Sequence, residues 1–229
     1  MAADVIDSVA VTGPRIRVQG AVKSFAGRVV VDVDDLVLGD RPIGGLIGPN
    51  GAGKTTLMRM IMHSTPLDRG RISLLPMGGG DVVLSSLPTH HMARHGVVKS
   101  NQVIMDFDKL TIWDSLLLAV AEHRYEQPHR IFSERTVFEG HEDEIRRHLD
   151  YFGFADPTAF AMSAGEKKLL DIVRCLLLRP RFLLLDEPTA GLPDDLTEKV
   201  MAVIRDLAAA GTSVVIVEHD LNVIWNLCD

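Results

Sequence analysis

The 229-residue chain is poor in features that would place it in several common classes. It holds two cysteines, Cys175 and Cys228, both within apolar stretches. They read as reduced core residues, not as a disulfide framework or a thiolate metal site. No apolar run approaches the roughly 18 residues that cross a bilayer, and Asp4 and Asp7 stand where a secretory signal carries basic residues. Any membrane association is therefore expected to be peripheral. Positive charge is not in excess: 24 Lys and Arg face 31 Asp and Glu, a formal net charge of −7. That balance argues against a broad nucleic-acid-binding surface, and no nucleic acid is expected as a partner. Of nine histidines, only His90-His91 with His95 form a dense group, without nearby cysteine or carboxylate ligands. They read as loop and helix surface, not as a metal site. Internal repeats and low-complexity linkers are also missing.

What is present is an ordinary globular balance, 46% apolar and 24% charged, in a length that suits one large domain or a domain with a smaller lobe. Ile16-Arg17-Val18, Val29-Val30-Val31 and Leu36-Val37-Leu38 are short β-branched or apolar runs that predict antiparallel strands near an edge. Ile43 to Ile47 predicts a short strand, and residues 110–152 predict mainly helix, with Glu142 to Arg147 on a solvated face. Pro157 ends that pattern before a new helix near Ser163. Phe182-Leu183-Leu184-Leu185 and Ser213-Val214-Val215-Ile216-Val217 are near-continuous apolar runs, as in parallel strands covered on both faces. A helix over roughly Thr197 to Ala210, closed by Gly211, lies between them. Strand, helix, strand in this order predicts an α/β layered fold.

Gly48-Pro49-Asn50-Gly51-Ala52-Gly53-Lys54-Thr55-Thr56 fits the pattern G-x-x-x-x-G-K-[ST] between a predicted strand and a predicted helix. Gly48, Gly51 and Gly53 allow the tight turn that points successive N–H groups at phosphate oxygens. The following helix adds its positive end. Lys54 reaches toward β- and γ-phosphates, and the Thr55 hydroxyl can ligate Mg²⁺. A hydrolytic site also needs a second metal anchor and a group that handles water. The apolar strand ending in Asp186-Glu187 offers both: Asp186 at the carboxyl end of a parallel strand for the metal, Glu187 to orient or deprotonate the attacking water. Alone, an Asp-Glu pair after apolar residues is more often a solvated strand end; beside a phosphate loop, the functional reading prevails.

Met162-Ser163-Ala164-Gly165-Glu166 precedes a helix just over twenty residues before Asp186. Ser163 as N-cap with Glu166 three residues on forms a capping box, the bland explanation of the stretch. A capped helix start is also an anion site, so the two readings coexist. The stretch resembles the signature motif of ABC ATPases, and the resemblance extends through most of the chain. Gln102 stands where that family has its Q-loop glutamine, which contacts Mg²⁺ or water. Asp186-Glu187-Pro188-Thr189-Ala190-Gly191-Leu192 resembles the Walker B segment running into the D-loop, and Glu218-His219-Asp220 resembles the switch, with His219 directed at the γ-phosphate. Phe25 matches the aromatic that stacks on adenine.

The resemblance implies an α/β fold: a P-loop NTPase (RecA-like) core with a mixed, mainly parallel sheet, an antiparallel β edge subdomain and a helical signature subdomain. It implies one nucleotide-binding domain over residues 1–229, with the core about 15–101 and 165–229 and the helical subdomain about 102–164. ATP and Mg²⁺ are the implied cofactors. Glu187, His219 and Gln102 are the implied catalytic set. Gly48 to Thr56 with Phe25, Ser163 and Gly165 are the nucleotide contacts, and Thr55, Gln102 and Asp186 the metal contacts. Ser163 and Gly165 are expected to close on the ATP of a second ABC ATPase subunit, either a copy or a paralogue. Ala164, Glu166 and Pro193 depart from the usual residues at their positions. The chain stops at Asp229, where family members continue with strands and a helix, as expected of a truncated or shortened form.

Within the family, Asp81 to Gln102 and Lys109 to Ser115 resemble the ATPases of branched-chain amino acid importers and their urea or amide relatives. This implies integral membrane permease subunits docked on residues about 103–115, indirect service to a solute-binding protein, and a peripheral position on the cytoplasmic face of the cell membrane. ATPases of lipopolysaccharide export are similar overall and can carry glutamate in the signature, as Glu166 does. A soluble, non-transport ABC ATPase is the reading from another class; the single nucleotide domain and acidic balance stand against it.

Overall fold

The computed structural model describes residues 13–100, 110–122, 141–160 and 162–228. In chain order the strands are β1 (Arg15–Phe25), β2 (Arg28–Leu38), β3 (Ile43–Leu46), β4 (Arg69–Leu75), β5 (Val82–Val83), β6 (Val97–Lys99), β7 (Phe182–Asp186) and β8 (Ser213–Val217). The helices are α1 (Lys54–Ile61), α2 (Ile112–Glu122), α3 (Glu142–Phe152), α4 (Ala164–Leu177), α5 (Asp194–Ala209) and α6 (Leu221–Leu227).

Alternation builds the first sheet. Ile16 and Val18 of β1 and Ile72 and Leu74 of β4 are buried, while Arg15, Gln19 and Arg71 are exposed; Ser73, between Ile72 and Leu74, is buried too. The sheet is antiparallel in the order β2-β1-β4-β5. The β1–β4 ladder shifts register between Gln19 and Val22. Two glycines permit it: Gly20 has φ +54, and a Cβ on Gly70 (φ +97) would lie 2.3 Å from the Gly20 carbonyl. Val29–Val31 and Leu36–Leu38, which read as separate strands, are one strand. Asp32, Asp34 and Asp35 between them are exposed on the sheet's outermost strand, and Arg17 pairs with Asp35 at 2.8 Å.

The second sheet has the order β3-β8-β7-β6, and every described pair in it is parallel. Antiparallel and parallel strands thus segregate into two sheets. β7 and β8 are buried at every position. Phe182, Leu184, Val215 and Val217 face a core shared with α1 and the antiparallel sheet. Leu183, Leu185, Val214 and Ile216 face a second core shared with α2 through α6. Burial on both faces is why these strands read as unbroken apolar runs. No helix among the described residues is long and apolar enough to cross a membrane.

α5 starts at Asp194, earlier than the expected Thr197. Pro193 sits at its N-cap with φ −58, and Asp194 and Asp195 fill its first turn, where acidic side chains favour the positive helix end. Its first turn carries only polar residues before Leu196, so apolar spacing alone places the start too late.

Candidate nucleotide site

β3, paired with β8, ends at Leu46, and α1, anchored by the buried Leu57, Met58, Met60 and Ile61, begins at Lys54, which leaves residues 47–53 as a loop against the edge of the parallel sheet. Ala52 N–H donates to the Pro49 carbonyl at 3.2 Å, closing a turn. Gly51 and Gly53 adopt φ +81 and +88. At Gly53 only hydrogen fits, since a Cβ would stand 2.5 Å from the Val30 carbonyl. Gly53 is also the N-cap of α1, and no side chain caps that helix, so its leading N–H groups are available to an anion. The Lys54 ammonium donates to the carbonyls of Gly48 (2.6 Å) and Pro49 (3.0 Å), folded back across its own loop.

The cleft over this loop has a volume of about 360 Å³ and is walled by residues 50–56, Val30, Val217, Glu187 and His219. Glu187 Oε1 lies 3.0 Å from His219 Nε2. Glu187 takes a left-handed backbone, φ +51, a conformation that costs a residue with a Cβ on the order of 1–3 kcal/mol. Its surroundings hold it there. Its N–H donates to the Val217 carbonyl (2.8 Å), and its own carbonyl accepts from Lys168 Nζ (2.8 Å). Lys168 also donates to the Ala190 carbonyl at 2.6 Å. Burial pulls the Lys168 pKa down, against the opposing pull of Glu218, Glu187 and Asp186. Glu218 is buried, and its Oε1 accepts from Thr189 N–H (2.9 Å) and Thr189 Oγ1 (2.7 Å). Its Oε2 accepts from His219 N–H at 3.3 Å. The ends of β7 and β8 are therefore laced together directly beneath the cleft.

Asp186 lies behind that wall. Its side chain is fully buried, and neither carboxylate oxygen has a hydrogen-bond donor among the protein groups. Lys99 Nζ stands 3.9 Å from Oδ2, beyond hydrogen-bond reach, and donates instead to the Ser100 carbonyl at 2.7 Å. Burial lowers the Lys99 pKa, opposed by Asp186 and Asp171. The Asp186 N–H donates to Ser100 Oγ at 2.9 Å, which fixes the strand end. A buried carboxylate without donors is costly by itself and suits a cation. Its oxygens, and the hydroxyl of Thr55 in the cleft wall, are donors of the hard type that Mg²⁺ takes.

Ser163 and Gly165 line a separate cleft of about 280 Å³, beside Gly153, Glu166, Gly191 and Pro193. The capping box is present: Glu166 N–H donates to Ser163 Oγ (3.2 Å) and Ser163 N–H to Glu166 Oε2 (2.8 Å). Phe25 stands at the end of β1, 48% exposed, with Lys23 Nζ 5.4 Å from its ring centroid, and is not among the residues walling the phosphate cleft. Gln102 and most of the expected docking segment, residues 103–109, lie outside the described residues. Sequence reasoning missed Lys168, Lys99 and Ser100, and named Thr189 only within the Asp186 to Leu192 stretch, without its bond to Glu218. The bonds of Lys168 span 19 and 22 residues, so local pattern gives no signal for them.

A strand, glycine-rich loop and helix at the edge of a parallel sheet, with an Asp-Glu strand end beside the loop, define a phosphate-loop NTPase. Residues 35–190 match the family model described as ABC transporter. The high-affinity branched-chain amino acid transport ATP-binding protein BraF of Pseudomonas aeruginosa is 31% identical over 227 residues, covering 94% of this chain and 86% of that protein. The lipopolysaccharide export system ATP-binding protein LptB of Haemophilus influenzae is 32% identical over 211 residues, covering 92% and 83%. A nucleotide-free ATP-binding cassette from an ABC transporter shares the fold with a TM-score of 0.72 at 24% identity, over 94% of this chain and 85% of that one. A dimeric cassette in a post-hydrolysis state, bound to ADP and Pi, does so at 0.69 and 19% identity, over 91% and 89%. The chain belongs to the ABC transporter family, as an ATP-binding subunit that hydrolyses ATP.

Proposed function

We propose that two ABC ATPase subunits, this chain and a copy or paralogue, close around two ATP and drive import of a branched-chain amino acid or related small solute. The observation that carries the ATP chemistry is the Glu187–His219 pair, 3.0 Å apart, in the wall of the cleft formed by the phosphate loop. In this reading the loop N–H groups of residues 48–56 and Lys54 bind the phosphates, Lys54 leaving its carbonyl partners to do so, and Phe25 stacks on adenine. Glu187 orients the attacking water and takes its proton, while His219 holds Glu187 and reaches the γ-phosphate. Bound Mg²⁺ would be held by Thr55, Asp186 and Gln102 and would neutralise charge on the β- and γ-phosphates. Ser163 and Gly165 close on the ATP of the other subunit.

Residues 15–101 and 165–229 form the nucleotide-binding core, and residues 102–164 the helical lobe that faces integral membrane permease subunits, on the cytoplasmic face of the cell membrane. The stretches before and after Gln102 that resemble importer ATPases favour import, with a solute-binding protein acting indirectly. Glu166 in the signature and relatives such as LptB favour a second reading, an export ATPase for lipopolysaccharide. Purification from native membranes in mild detergent separates the two. Recovery of two permease subunits and an amino-acid-type solute-binding protein supports import. Recovery of lipopolysaccharide-binding membrane subunits establishes the second reading, and recovery of no membrane protein ends both.

A further inference from the structure

The segment from Glu187 to Ala190 is pinned at three points. Val217 holds the Glu187 N–H, Glu218 holds Thr189, and Lys168 holds the carbonyls of Glu187 and Ala190. The first two anchors come from β8 and the residue after it, next to Glu187 in the same layer. The third comes from α4, the helix whose capped start presents Ser163 and Gly165. From α4 it is the Lys168 side chain that reaches this segment, donating to two of its carbonyls. The Ala190 N–H also turns back to the Glu187 carbonyl at 3.4 Å, so the ammonium sits at the mouth of a turn and bridges its two carbonyls.

We propose that Lys168 is a positioning residue for hydrolysis: its ammonium ties the aim of the Glu187 carboxylate to the position of the signature helix. The inference rests on the reading of Glu187 as the group that orients water. The physical argument has two parts. A left-handed backbone at a residue with a Cβ persists only where its surroundings over-determine it, and the carbonyl of Glu187 is fixed by Lys168. Rotating that peptide swings the carboxylate away from His219 and the cleft, and small misplacements of a water-orienting group lower the rate strongly. Because Lys168 lies one turn and a half beyond the Ser163 cap, displacement of the start of α4 moves the ammonium and, through it, the turn. Contact of Ser163 with ATP on the opposing subunit is thereby communicated to the residue that acts on the chain's own ATP.

The test uses the full chain and three variants, Lys168→Met, Lys168→Arg and Glu187→Gln. Steady-state Mg-ATP hydrolysis gives kcat and KM, equilibrium ATP binding gives affinity, and thermal denaturation gives the folded fraction. Lys168→Met is expected to lower kcat about tenfold, equivalent to about 1.4 kcal/mol, with KM and ATP affinity within about twofold of the parent. Lys168→Arg, which still donates to carbonyls, restores most of the rate. A Lys168→Met protein with parental kcat overturns the proposal. So does a rate loss wholly accounted for by a smaller folded fraction, since a purely structural tie moves stability and not turnover per folded site. If Lys168→Met does not fold, Lys168→Gln takes its place with the same expectations. Failure of the underlying reading is visible separately: Glu187→Gln hydrolysing ATP at the parental rate removes Glu187 from the chemistry whatever Lys168 does.

Discussion

Ser163 has two explanations, a helix cap and a contact for the ATP of the opposing subunit, and substitution separates them. As a cap, its Oγ accepts from Glu166 N–H at 3.2 Å and donates to Glu166 Oε2 at 2.8 Å. Ser163→Ala removes both bonds and is expected to cost about 1 kcal/mol. For a chain of this size that lowers Tm by roughly 2–4 °C. Ser163→Asn keeps the capping, because asparagine ranks with serine at this position and its amide can both accept from Glu166 N–H and donate to the Glu166 carboxylate. Its melting temperature should stay within about 1–2 °C of the parent. The phosphate contact behaves differently. A hydrogen bond to a charged group contributes about 1.5–3 kcal/mol, and the bulkier amide does not reproduce the hydroxyl's geometry. Ser163→Asn should therefore lose roughly 10–150-fold in kcat/KM for ATP while remaining stable. Differential scanning calorimetry and a coupled ATPase assay on the same preparations read both quantities. Parental ATPase activity in Ser163→Asn would refute the reasoning and leave Ser163 as a cap alone.

Other residues give sharper single outcomes. Lys54→Ala should lower ATP affinity at least tenfold, measured by equilibrium binding, with little change in Tm, because its two bonds in the structure are to carbonyls of its own partly exposed loop. Asp68 accepts from Lys23 Nζ (2.8 Å) and Ser24 N–H (2.6 Å), and chiefly the Lys23 bond holds its carboxyl below the usual range. A carboxylate lowered on folding contributes stability that is full above its unfolded value, about 3.9, and is lost as pH falls through the lower folded value. Asp68→Asn should accordingly be less stable than the parent at pH 7, with the difference vanishing in acid, as followed by denaturant melts across pH. Cys175 is buried, and burial pushes its thiol well above the ordinary value. Thiol titration of the native chain should find Cys175 unreactive until the protein is denatured.

The phosphate loop, the Ser163 cap and the doubly buried strands were legible because each writes a local pattern: glycines before Lys54, Ser and Glu three apart, uninterrupted apolar runs. β2 was legible only in pieces, since Asp32 to Asp35 breaks its apolar pattern where the outer strand meets solvent. The start of α5 was set by acidic residues behind Pro193, not by apolar spacing. The lacing of the site was not legible at all. Glu218 reaches Thr189 across 29 residues, Lys168 reaches Glu187 across 19, and Ser100 reaches Asp186 across 86. Each contact follows from adjacent strands of the parallel sheet or a helix packed on it, so it exists only once the topology is known.

The central claim is that ATP joins two subunits and that Glu187 governs its hydrolysis. Light scattering coupled to size-exclusion chromatography, on Glu187→Gln with and without Mg-ATP, tests it most directly. The account predicts a monomer without nucleotide, a dimer of twice the mass with ATP, and hydrolysis reduced at least a hundredfold from the parent. A monomer under both conditions, together with parental hydrolysis, would contradict it.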